Sequence, residues 1–78
     1  MSPDTLIRMA NQIAAFFKAQ GTETAPAAIA EHLQLFWDPR MRKAIIELEV
    51  TGAASGLDPS AAAAVRMLKP VGSAIGPN

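Results

Sequence analysis

Apolar side chains recur at helical spacing along four stretches of this chain, and residues that start or stop helices bound each stretch. In the first, Leu6, Met9, Ile13, Phe16 and Phe17 fall on one stripe with Ala10 and Ala14 beside it. Arg8, Asn11, Gln12 and Lys18 lie largely off that stripe. The pattern predicts a helix from about Pro3 to Gln20, stopped by Gly21, with Lys18 in the last turn where a cation complements the helix dipole. Ile29, Leu33, Phe36 and Trp37 give the apolar face of a second helix, from near Pro26 to Phe36 or Trp37, while Glu31 and Gln34 face elsewhere. It must end by Asp38, because the residue before a proline is pushed out of the α region. Met41, Ile45 and Leu48 define a third helix, from Pro39 to about Val50, with Gly52 as its stop. Ala61, Val65 and Leu68 share one side of a short fourth helix, from Pro59 to about Lys69, which Pro70 ends.

Three of these helices start in the same way. Ser2-Pro3, Asp38-Pro39 and Asp58-Pro59 each set an oxygen-bearing side chain before a proline. The side chain can accept a hydrogen bond from an unpaired amide of the first turn. Proline at the first helical position lacks only an N–H that would have no partner there. The second helix is capped less cleanly, by Thr24. The segment "GAASGLDP" reads as a flexible connection, and the closing "PVGSAIGPN" as an extended or disordered tail. The expected fold is therefore all-α: a small single-domain bundle of three to four short helices over residues 1–69, then a tail over 70–78. The tight joint at Asp38-Pro39 makes helices 2 and 3 a corner, with helix 1 packed across both.

Composition narrows what such a bundle can do. Sixteen of the 39 apolar residues are alanine, so the core is expected to be thin and to lean on a partner for part of its stability. The absence of cysteine excludes disulfides, thiolate metal sites and a cysteine nucleophile, and a single histidine, His32, excludes a histidine cluster within one chain. Seven basic residues balance seven acidic ones, which argues against a general binder of nucleic acid or anionic membrane. No segment approaches the roughly 20 apolar residues needed to span a bilayer, and "MSPDTLIRMAN" lacks the form of a secretory signal. A cytoplasmic location is expected.

Catalytic patterns are missing. The chain contains neither a G-x-G-x-x-G run nor a Walker A motif, and Glu47 and Glu49, two apart on a helix, point in different directions. The interesting stretch is "LQLFWDPRMRKAI", residues 33–45. Phe36 and Trp37 are adjacent, so on a helix they diverge by about 100° and cannot share one narrow core. One fills the corner against helix 1, while the other wraps the joint or stands exposed as an interface anchor. Arg40 and Lys43 sit near the positive end of a helix dipole, where cations are disfavoured. They form a solvated face with Arg42, pair with carboxylates within the chain or across an interface, or contact phosphate. His32 lies at the edge of its helix's apolar face, as a boundary residue or as a polar contact to a partner.

"SPDTLIRMANQIAAFF", residues 2–17, and "HLQLFWDPRMRKAI", residues 32–45, resemble the delta subunit of soluble NAD-dependent formate dehydrogenases. The later "ASGLDP" turn fits the same pattern, which runs from Ser2 to about Leu68 and leaves out the tail after Lys69. The resemblance implies a small accessory subunit, not itself an enzyme, that binds no cofactor. It also implies a large catalytic alpha subunit as partner, with which the chain supports assembly or stability of a complex oxidising formate to carbon dioxide. The partner subunits are expected to carry a molybdenum or tungsten bis-pterin cofactor, iron–sulfur clusters, FMN and NAD. The surface expected to bind the partner comprises Phe36, Trp37, Arg40, Arg42 and His32. A transient assembly chaperone and a small helical nucleic-acid-binding module are the alternatives.

Overall fold

A computed structural model describes residues 1–70 as four helices with no strand among them. These are α1 (Pro3–Lys18), α2 (Ala25–Phe36), α3 (Pro39–Val50) and α4 (Pro59–Met67). Of the expected tail over 70–78, all but Pro70 lies outside the described residues. Three helix starts follow the capping chemistry read from the sequence. Ser2 Oγ accepts from the Thr5 N–H at 3.2 Å, Asp38 Oδ1 from Met41 at 2.9 Å, and Asp58 Oδ2 from Ser60 at 2.9 Å. Thr24 makes no such bond to α2. Its hydroxyl donates back to the Gly21 carbonyl at 3.3 Å.

Helix ends show where local and tertiary forces part. α3 closes in a Schellman turn: Ala53 N–H donates to the Leu48 carbonyl at 2.9 Å, Gly52 N–H to Glu49 at 3.3 Å, and Gly52 has φ +81°. α1 ends at Lys18, two residues before the expected Gln20, because Gln20 bonds to the Phe17 carbonyl and so tightens the turn. α4 ends at Met67 and not Lys69. Leu68 turns extended, at φ −70° and ψ 143°, and is buried against the core.

α2 and α4 share the most extensive contact, and α1 lies against all three other helices. Ile29, Leu33, Ile45 and Val65 are the largest fully buried side chains. Half of the sixteen buried apolar residues are alanine, so close helix approach, more than bulky side-chain filling, makes this core. No polar or charged residue among those described is buried.

The connection between α3 and α4 differs from the loose link expected. Ala54 and Leu57 are buried. Asn11 of α1 clamps the segment with both ends of its amide: Nδ2 donates to the Gly56 carbonyl at 2.9 Å, and Oδ1 accepts from the Asp58 N–H at 2.7 Å. Lys18 Nζ then reaches Asp58 Oδ1 at 2.7 Å. This bond holds the Asp58 carboxyl below its ordinary value; burial pulls the other way, and the Ser60 amide adds to the lowering.

Candidate docking surface

The two adjacent aromatics of the corner go to opposite fates. α2 ends at Phe36, and Trp37 leaves it in an extended conformation, at φ −83° and ψ 138°. That break in the helix turns the indole inward, where it is only 5% exposed, while Phe36 stays on the outer face at 71%. Of the five residues expected to meet a partner, Trp37 therefore belongs to the core.

Arg42 is also committed within the chain. Its Nη1 donates to the Trp37 carbonyl at 2.6 Å and to the Gln34 carbonyl at 3.3 Å. These oxygens sit at the C-terminal end of α2, where carbonyls lack helical partners and a cation is favoured. A side chain of α3 thus caps α2, and its Nε is out of solvent with no partner among the described residues.

The outer face gathers residues from two helices. His32 is half-buried, with its ring centroid 4.8 Å from Phe36 and 5.8 Å from Phe17. Phe17 in turn meets Phe16 edge-on, with centroids 5.1 Å apart and an 83° interplanar angle. Four rings, Phe36–His32–Phe17–Phe16, therefore run in a continuous row across α2 and α1. Met9, Gln12 and Ile13 extend the row into an open groove of about 330 Å³ with Phe16, Phe17 and His32. Phe16 is 62% exposed.

The sequence pattern had assigned Phe16 and Phe17 to the core stripe. The signal that separates them was present: they are neighbours diverging by about 100°, like Phe36 and Trp37, and only one can point fully inward. Arg40 stands apart from the row. It is exposed at the start of α3, beside Met1, Leu6, Met41 and Ala44 near the opposite end of α1.

Chemically, the row offers apolar and aromatic area with two hydrogen-bonding groups, the His32 ring and the Gln12 amide. Among the described residues, no three histidine, cysteine, aspartate or glutamate side chains are grouped to hold a metal ion. No described helix is long and apolar enough to cross a membrane.

Neither a curated protein nor a solved structure matches the chain. A family model described as "NADH-dependant formate dehydrogenase delta subunit FdsD" matches residues 5–65. That span holds α2 and α3 whole, most of α1 and α4, and every ring of the aromatic row. The chain belongs to the delta-subunit family of NADH-dependent formate dehydrogenases.

Proposed function

We propose that this delta subunit is a non-catalytic accessory chain that binds the large catalytic subunit and supports assembly or stability of the complex. The observation that carries this reading is the row Phe36–His32–Phe17–Phe16, with both terminal phenylalanines largely exposed. An exposed pair of large aromatics flanking a groove has little to offer a chain that works alone. At a protein interface, such side chains are typical anchors. The thin, alanine-rich core supports the same reading, since a bound partner adds stability to a chain with little bulky core.

Of the residues first assigned to this contact, Phe36 and His32 are the direct ones, joined by Phe16 and Phe17. Trp37 and Arg42 act through the fold by holding the α2–α3 corner that sets Phe36 on the surface. The molybdenum or tungsten bis-pterin, iron–sulfur, FMN and NAD chemistry belongs to the partner subunits in this reading. The site of action is the cytoplasm.

A tagged copy of the full chain, purified from native cytoplasm and analysed by mass spectrometry, tests the proposal. Recovery of the large catalytic subunit in fixed ratio with active enzyme supports it. Recovery only with immature catalytic subunit would replace the permanent subunit by a transient assembly chaperone. Failure to recover formate dehydrogenase chains would refute both.

A further inference from the structure

The start of α3 breaks a local rule that no ion pair among the described residues explains. Arg40 and Lys43 both lie in its first turn and a half and are exposed, where the helix dipole favours acidic side chains and disfavours cations. They are three residues apart, so their charges are neighbours and repel. The ion pairs of the described residues are Lys18–Asp58 and Arg66–Glu49, and neither involves this edge. The carboxylate of Asp38, the nearest in sequence, accepts the Met41 amide as the helix cap. Glu47, one turn beyond Lys43, forms no ion pair with it. Local physics would place aspartate or glutamate here, yet the chain places two cations.

Beside Arg40 lies another recess, of about 130 Å³, which Arg40 lines together with Met1, Leu6, Met41 and Ala44. Four of its five walls are apolar side chains, and its edge is cationic. We propose that this corner is a second contact, separate from the aromatic row, for a segment of the catalytic subunit carrying a carboxylate next to an apolar side chain. The carboxylate meets the Arg40 guanidinium, with Lys43 adding to the field, and the apolar side chain enters the recess. Charge complementarity selects this occupant: the partner's negative charge offsets both the mutual repulsion of the cations and their misfit with the dipole. The inference rests on the proposal that this chain docks on the catalytic subunit at all.

The experiment co-expresses full-length Arg40→Glu with the other subunits and purifies the complex through its largest chain at rising salt. The readout is the fraction of delta subunit retained, with Lys69→Glu as an exposed charge reversal elsewhere. Arg40→Glu is expected to retain about tenfold less subunit than wild type at moderate salt, while Lys69→Glu behaves as wild type. The isolated Arg40→Glu chain is expected to melt at or above the wild-type temperature, because glutamate suits the helix start. If wild type itself is not retained, the docking reading fails. If wild type and Arg40→Glu are retained equally across the salt series, docking stands and this second contact is overturned. A clearly lower melting temperature for Arg40→Glu would also overturn it, because the arginine would then have an internal structural role.

Discussion

The Arg42 guanidinium of α3 donates to the backbone carbonyl of Trp37, 2.6 Å away, across the joint between two helices. This bond and the buried indole fix the same residue from both sides, main chain and side chain. The neighbouring Phe36 shares neither constraint. Trp37→Ala should therefore cost about 3–5 kcal/mol of folding stability, while Phe36→Ala should stay within about 0.5 kcal/mol of wild type. Urea denaturation of the two single variants checks the contrast. Equal losses at both positions would contradict the division between core and surface.

Arg42 itself carries two carbonyl hydrogen bonds, one of them short. Replacing it by methionine keeps much of the aliphatic packing but leaves the end of α2 without its cap. A loss of roughly 1.5–3 kcal/mol is expected, the range for hydrogen bonds to a charged group. Tryptophan fluorescence should report the loosening early in the unfolding transition, because Trp37 is the chain's single tryptophan.

Acid sensitivity should concentrate at Asp58. Its folded carboxyl titrates below the ordinary 3.8, chiefly through Lys18. The unfolded chain therefore binds the proton more readily, and the stabilisation is present in full above the ordinary value. It is lost as pH falls through the lower folded value. Asp58→Asn keeps an oxygen for the cap but not the charge. The gap in melting temperature between wild type and variant should be open at pH 7 and close as the pH falls below about 4. A gap independent of pH would remove the ion pair from the explanation.

Asn11→Ala should detach the segment before α4. It removes two hydrogen bonds and leaves the Asp58 N–H without its partner, at a cost of about 1–3 kcal/mol. Hydrogen exchange should show the change as faster exchange at Asp58 and Leu57 before any change in α2.

The same structure also shows what the sequence made legible. The caps at Ser2, Asp38 and Asp58 were readable because N-capping is a short-range matter of one side chain and the next few amides. The four-helix order followed, since periodic apolar positions and proline or glycine boundaries are equally local. Asn11 was not readable: it sits off the apolar stripe of α1, and its partners are 45 and 47 residues away. The separate fates of Phe36 and Trp37 depend on where α2 breaks and on a cap that arrives from α3. Likewise, Phe16 is exposed because no other helix among the described residues covers that edge of α1, which only the packed arrangement decides. The sequence drew attention to the α2–α3 corner, but the aromatic surface around it needed the tertiary structure.

The central claim is that the aromatic row docks on the catalytic subunit, and the double variant Phe16→Ala/Phe36→Ala tests it most directly. Both rings are largely exposed, so the isolated variant should stay folded, with Trp37 still in a buried emission environment. At an interface each such anchor is worth about 2 kcal/mol or more, so affinity should fall by roughly a thousandfold. Co-purification with the other formate dehydrogenase subunits should then be lost. A folded double variant that co-purifies in the wild-type ratio would contradict docking through this row.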